Sequence, residues 1–150
     1  MCVAASRYGP VHYRGYDVFE TEPREFHLAA MNGKGIPPKR AAEAVLHSIA
    51  GLTFELIEGD TRATLHGQRV AADLVFIDGD HRSEMVRLDY EAFDARCIVF
   101  DDYLSRGLGG EIPYMGYGAN AVVDELGAEL LPIKDRTARG WMTQMAVLRF

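Results

Sequence analysis

The sequence has few of the features that mark secreted, membrane-spanning or nucleic-acid-binding proteins. Its two cysteines, Cys2 and Cys97, are too few for a disulfide framework in 150 residues. No apolar run approaches the ~20 residues of a membrane helix, and no signal-peptide pattern opens the chain. Lysine and arginine form no run, and the formal net charge is −6, which disfavours binding to nucleic-acid phosphates. We therefore expect a cytoplasmic protein that binds neither nucleic acid nor membrane.

The glycine fingerprint G-x-G-x-x-G is also missing from the sequence. Dehydrogenases use that fingerprint to bring the backbone close to a dinucleotide pyrophosphate, so its absence disfavours a dehydrogenase. A chain of 150 residues is long enough to bury a substantial core. We predict a single domain over residues 1–150.

Strand-like and helix-like segments alternate along the chain. Such alternation indicates βαβ units, and the unbroken apolar run in Ala72–Asp78 indicates a strand that is buried on both faces. The predicted fold class is α/β, a Rossmann-like, mostly parallel sheet with helices on both faces and a C-terminal antiparallel hairpin. The strands are predicted at Val11–Phe19, Leu52–Asp60, Ala72–Asp78, Cys97–Asp102 and in two closing segments, with helices after Pro37-Pro38, from Ser83 and over Ala119–Leu126.

Acidic residues stand at or just after the ends of four predicted strands. Ligands bind at the carboxyl ends of the strands in open α/β sheets, so we expect these side chains to converge there. Clustered carboxylates repel each other unless a partner offsets their negative charge. The partner can be a divalent cation, a cationic ligand or ribose hydroxyls that donate hydrogen bonds. The acidic residues are Asp17, Asp60, Asp78, Asp101 and Asp102.

Two successive strands carry the densest group, which consists of Asp78 on one strand and Asp101 and Asp102 on the next. Neighbouring strands lie ~5 Å apart, so these carboxylates can share a hard cation such as Mg²⁺. His81 follows Asp78 closely and is a candidate base or further ligand. An aspartate after a strand is also a common cap or turn former, so the prediction depends on the group rather than on one residue.

Five segments in this order, GYDVF, LIEGD, DLVFIDGDH, IVFDDY and ANAVVDEL, resemble the class I S-adenosylmethionine-dependent methyltransferases. The resemblance extends from about Tyr13 to the C-terminus and is nearest to the O-methyltransferase group that includes macrocin-type sugar methyltransferases. It implies S-adenosylmethionine as cofactor and methylation of a small-molecule hydroxyl. It also implies Mg²⁺ in the metal-dependent members.

The resemblance assigns roles to individual residues. It implies that residues at strand ends bind the cofactor, with the ribose at Asp17 and the adenine beside the end of the next strand. It implies that the catalytic residues lie in the DGDH segment. The implied residues are Asp17, Gly59, Asp60 and Asp78 for the cofactor, His81 and Asp78 for catalysis, and Asp78, Asp101 and Asp102 for the metal. Acceptor specificity is expected in the loops Glu22–Pro37 and Ser105–Gly118.

One departure from the family is large. The family begins with a strand and an E-x-G-x-G loop ahead of the ribose-binding acid, and this sequence contains no such loop. We expect an N-terminally truncated domain, or a partner chain that supplies the missing strand, with apolar strand edges left exposed. A metal-independent methyltransferase and a non-catalytic Rossmann-like binding or assembly module stay as alternatives. The acceptor and the oligomeric state, including a homo-oligomer, stay open.

Overall fold

The structure is a computed structural model that describes residues 2–19, 38–105, 118–136 and 142–150. It divides the chain into two compact units, Met1–Thr64 and Leu65–Phe150. Most of the two predicted acceptor loops lies outside the described residues, and the single domain stays a prediction. In chain order the elements are α1 (Cys2–Ala5), β1 (Val11–Asp17), α2 (Lys39–His47), β2 (Leu52–Glu58), α3 (Thr61–Thr64), β3 (Val70–Ile77), α4 (Ser83–Glu91), β4 (Phe93–Ser105), α5 (Gly118–Leu126), β5 (Glu129–Arg136) and β6 (Met142–Arg149).

The first unit contains a parallel pair of strands, β1 and β2, in which Asp17 lies beside Glu58. Helix α2 begins at Lys39, directly after its N-cap residue Pro38, where the missing N–H of proline costs no intrahelical hydrogen bond. Gly51, at φ 76°, makes the turn from this helix into β2. The helix packs on β2, where the His47 ring lies edge-on to Phe54 at 4.8 Å. The parallel pairing brings the carboxyl ends of β1 and β2 together.

The second unit contains a four-stranded sheet in the order β3-β4-β6-β5. β3 and β4 are parallel, as predicted, and β5 and β6 form the predicted antiparallel pair. The prediction of one mostly parallel sheet is wrong for the described strands, which form one parallel pair and one mostly antiparallel sheet. The reason is that β6 follows β5 after a short connection and inserts beside β4, and short connections join antiparallel strands.

Helices α4 and α5 pack on the four-stranded sheet and on each other. The predicted apolar stripe of α5 is confirmed, since Val122 and Val123 are buried. Phe100 is 1% exposed at the centre of this core, and its truncation to alanine would cost on the order of 3–5 kcal/mol. The core consists of Val75, Ile77, Val86, Ile98, Phe100, Val122, Val123 and Ala146.

Strand β3 differs from its prediction, because only one of its faces is buried. Val75 and Ile77 point into the core, whereas Leu74 is 44% exposed and Phe76 36% exposed. β3 is an edge strand of its sheet, and no described strand pairs with its outer edge. Within the described residues, the face of β3 that carries Leu74 and Phe76 is therefore less buried than the face that carries Val75 and Ile77. None of the helices in the described part of the chain is both long and apolar enough to cross a membrane.

Candidate active site

The loop after β3 forms the first half of the candidate site. β3 ends at Ile77, and the chain turns through Asp78–His81 before α4 begins at Ser83. The Asp80 carboxylate holds this turn by accepting the backbone N–H of Arg82 at 2.9 Å and its guanidinium Nε–H at 2.9 Å. Burial favours a higher pKa for Asp80, but the hydrogen bonds from Arg82 bring that pKa below its ordinary value. Asp80 is therefore a turn residue that shapes the loop carrying Asp78 and His81.

An irregularity in β4 forms the second half of the candidate site. We predicted that this strand ends at Asp102, but it continues to Ser105 because β6 keeps pairing with it. The register shifts between Phe100 and Tyr103, which places both aspartates at a bulge. Asp102 has φ 53°, in the left-handed region that aspartate tolerates better than most residues. Bulges bend a strand and redirect its side chains, and they are common beside active sites.

The loop and the bulge bring three side chains together. Asp78, His81 and Asp102 each offer one ligand atom, and these atoms all lie within 4.8 Å of one another. His81 Nε2 is 3.1 Å from Asp102 Oδ2. An ionised carboxylate only accepts hydrogen bonds, so in the bond between His81 and Asp102 the proton is on Nε2. Asp78 is exposed, whereas the His81 and Asp102 side chains are 31% and 38% exposed, so the cluster is open to a ligand.

The charges around His81 favour its protonated form. The hydrogen bond to Asp102 raises the pKa of His81 above its ordinary value, although burial opposes that rise. The negative charges of Asp102, Asp78 and Asp80 act in the same direction as the hydrogen bond. The imidazole therefore lies among negatively charged carboxylates, a setting that suits a catalytic base or a metal ligand.

Asp101 behaves differently from the other predicted metal ligands. Its Oδ1 accepts the backbone N–H of Asp102 at 2.9 Å, so the carboxylate supports the bulge. The three-residue cluster contains His81 in its place. A metal role for Asp101 stays a prediction, while Asp78 and Asp102 are brought together as predicted.

The donor set of the cluster fits a divalent cation. Two carboxylate oxygens and one imidazole nitrogen are available within a single coordination sphere. Mg²⁺ prefers oxygen ligands alone, whereas imidazole suits transition metals, and Mn²⁺ accepts both kinds. Exposed acidic groups often occur without a metal, but here one of the carboxylates is held by a backbone in the left-handed region.

In the first unit, the predicted cofactor residues meet at the carboxyl ends of β1 and β2. The Gly59 N–H donates to the Asp17 carbonyl oxygen at 2.9 Å. The Asp17 carboxylate accepts the N–H of Phe19 at 2.9 Å, and the Asp60 carboxylate accepts the N–H of Arg62 at 2.8 Å. A carboxylate has about four lone-pair sites, so a turn bond is compatible with additional ribose hydroxyl donors. Gly59, at φ 139°, has a backbone conformation that favours glycine.

In the second unit, two residues of α5 contact the segments that carry His81 and Asp102, and sequence reasoning missed both contacts. Gly118 donates its N–H to the His81 carbonyl oxygen at 2.7 Å. The Asn120 side-chain amide accepts from the Leu104 N–H at 2.8 Å and donates to the Leu104 carbonyl oxygen at 2.9 Å. The only available signal was a polar residue beside the apolar stripe of α5, and that signal does not reveal its partner.

A family model for a methyltransferase domain matches residues 1–103. The match covers more than half of the chain and includes every predicted cofactor, catalytic and metal residue from Asp17 to Asp102. The chain belongs to this methyltransferase domain family, and membership implies that S-adenosylmethionine is the methyl donor. No curated protein and no solved structure matches the chain.

Proposed function

We propose that this chain transfers a methyl group from S-adenosylmethionine to a hydroxyl oxygen of a small-molecule acceptor. Family membership supports methyl transfer. The observation that supports an oxygen acceptor is the convergence of Asp78, His81 and Asp102 within 4.8 Å. A hydroxyl is a weak nucleophile until its proton is removed or its pKa is lowered, and this cluster contains groups for either task.

Cofactor binding is assigned to the carboxyl ends of β1 and β2. When bound, S-adenosylmethionine supplies an activated methyl group on a sulfonium. The Asp17 carboxylate would accept hydrogen bonds from the ribose hydroxyls. Gly59 and Asp60 lie at the end of the paired strand, where Gly59 carries no side chain to block a ring. Asp78 stays a further cofactor-contact prediction.

The acceptor side is assigned to the cluster in the second unit. A divalent cation held by Asp78, His81 and Asp102 would supply Lewis acidity that lowers the pKa of a hydroxyl. The imidazole favours Mn²⁺ over the Mg²⁺ expected from the sequence. Asp101 would keep Asp102 in place through the hydrogen bond to its N–H. This assignment makes activity sensitive to chelators.

Metal-independent O-methylation is the second candidate, and the 3.1 Å bond between His81 and Asp102 favours it. Asp102 orients the imidazole through its Nε2–H, and the imidazole would act as the base that takes the proton from the acceptor hydroxyl. A base oriented by a carboxylate is a common arrangement in hydrolases, and it works without a metal. In this case activity would survive treatment with EDTA.

The test combines binding and turnover. Isothermal titration calorimetry would measure S-adenosylmethionine binding to the full chain and to Asp17→Ala, with Asp94→Ala as a control at an exposed acid outside both proposed sites. A coupled assay would detect S-adenosylhomocysteine formed with sugar, phenol, small-acid and peptide acceptors, with and without EDTA. Binding that is weakened by Asp17→Ala alone, together with turnover on hydroxyl acceptors, supports the proposal. Absence of cofactor binding would contradict the proposal for this chain, and it is the result expected of a truncated domain or of the non-catalytic module.

A further inference from the structure

We propose that the first turn of α5 positions the catalytic cluster, with Asn120 holding the strand segment that carries Asp102 and Gly118 holding the loop that carries His81. The catalytic consequence rests on the proposed function, whereas the positioning itself is a structural claim. Neither residue contacts a reacting group in this proposal. Both are positioning residues that act through the backbone.

Asn120 takes over the pairing of β4 where β3 stops. Parallel pairing between the two strands ends at Ile77 and Phe100. Beyond that point Leu104 lies opposite Thr143 of β6, yet both its N–H and its carbonyl bond to the Asn120 amide. In an antiparallel ladder, alternate residues direct both backbone groups away from the partner strand. The amide therefore satisfies two groups that the end of β3 would otherwise leave without a strand partner.

This pairing encloses the bulge between two fixed points. Phe100 is held by β3 on one side, and Leu104 is held by Asn120 on the other. Asp102 lies between them with φ 53°, a conformation that persists only where the surroundings impose it. Tyr103 connects the same segment of β4 to α5 a second time, since its hydroxyl donates to the Asp124 carboxylate at 3.0 Å.

Gly118 attaches the opposite half of the cluster to the same helical turn. Its N–H donates to the His81 carbonyl oxygen at 2.7 Å. A Cβ at this position would lie 2.2 Å from that oxygen and 2.4 Å from the Ser83 nitrogen, so only glycine permits the contact. One helical turn thus holds both chain segments whose side chains form the His81–Asp102 bond. Supporting contacts of this kind decide whether a catalytic group keeps its productive geometry.

The structural arm of the test compares crystal structures of the full chain and of Asn120→Leu. Leucine has a similar size but cannot bond to Leu104. We expect Asp102 to leave the left-handed region and the His81 Nε2–Asp102 Oδ2 separation to exceed the ~3.5 Å hydrogen-bond limit. Gln144→Leu is the control, because it removes a second side-chain amide of this sheet, one that donates to β5 at the Leu131 carbonyl, 2.8 Å away. An unchanged His81–Asp102 distance in Asn120→Leu would overturn the proposal.

A milder variant covers the case in which Asn120→Leu does not fold. Asn120→Asp keeps the acceptor for the Leu104 N–H and loses the donor to its carbonyl oxygen. We expect a smaller displacement of Asp102 in the same direction. The proposal also fails if this variant folds and leaves both the φ of Asp102 and the distance to His81 unchanged.

The functional arm separates positioning from general destabilisation. A displacement of about 1 Å at a reacting group can cost ~10²-fold in rate, so kcat should fall by about that factor in Asn120→Leu. The KM for S-adenosylmethionine should change much less than kcat, because three of the four proposed cofactor residues, Asp17, Gly59 and Asp60, belong to the other unit. A proportional loss in Gln144→Leu would indicate a merely structural role for Asn120. If the unaltered chain transfers no methyl group, the proposed function fails, and the crystal structures still decide the positioning.

Discussion

His81 Nε2 and Asp102 Oδ2 lie 3.1 Å apart, although 21 residues separate them in the chain. The bond connects the loop after β3 to the bulge in β4, and these segments leave two adjacent parallel strands. It therefore depends on strand order and on the local irregularity of β4 together.

Removing either member of the pair should abolish most methyl transfer while the fold is retained. General acid–base groups contribute ~10²–10⁴-fold to rates, so His81→Ala and Asp102→Asn should each lose activity within that range. Circular dichroism would establish that the variants fold. The double variant should be little worse than either single variant, because the two residues act as one unit. Activity near that of the unaltered chain in His81→Ala would exclude the imidazole from catalysis.

The two neighbouring aspartates of β4 should differ in metal binding. Asp102 belongs to the donor cluster, whereas the Asp101 carboxylate accepts a backbone N–H. Electron paramagnetic resonance with Mn²⁺ should show a much larger loss of affinity in Asp102→Ala than in Asp101→Asn, whose amide oxygen still accepts that N–H. Equal losses would mean that both aspartates bind the metal, as the sequence resemblance implied. Absence of Mn²⁺ binding by the unaltered chain would favour the metal-independent mechanism.

The His81–Asp102 bond should stabilise the metal-free protein in a pH-dependent way. Folding raises the pKa of His81, chiefly through the hydrogen bond to Asp102. Such a group contributes its full stability below its unfolded pKa of ~6.5 and loses the contribution as the pH rises through the folded pKa. Urea unfolding in EDTA should therefore show a larger difference between the unaltered chain and His81→Gln at pH ~5.5 than at pH ~8.5. A difference that grows with pH would contradict this sign.

Gly118→Ala should disturb the site more than an ordinary helix substitution does. In an exposed helix interior, alanine in place of glycine usually stabilises by about 0.5–1 kcal/mol. Here the added Cβ would meet the backbone of His81 and Ser83, so we expect net destabilisation and a loss of turnover. Gly127→Asn is a useful control at φ 63°, because nothing lies within 4 Å of its Cβ position and asparagine tolerates this region. Thermal unfolding of both variants would measure the contrast.

The two edges of the four-stranded sheet should differ in self-association. β5 carries Pro132, Lys134 and a register shift, all of which discourage strand pairing. β3 has none of these and exposes Phe76, so its edge should pair with β3 of a second copy. Sedimentation should show a concentration-dependent dimer that Phe76→Lys weakens. Ile133→Lys, an equivalent change on β5 at a residue 79% exposed, should have no effect. A monomer at every concentration would exclude pairing of this kind.

Sequence patterns predicted several local features correctly. Periodicity and turn residues located α2, α4, α5 and the parallel strand pairs, since these signals act over one turn or one strand. A role in ligand binding for the acids that follow these strands stays a prediction. The match of the methyltransferase domain family to residues 1–103 agrees with the resemblance read from the motifs.

Only the tertiary structure decided which acids and bases meet. His81 replaces Asp101 in the cluster because the bulge in β4 gives Asp102 φ 53° and turns the Asp101 carboxylate toward the backbone. The contacts of Asn120 and Gly118 likewise depend on where α5 meets the last residues of β4 and the loop after β3. Residue order determines what a segment can form, because local propensity acts over a few residues. Contacts between distant segments depend instead on the packing of the whole sheet, which no single segment encodes.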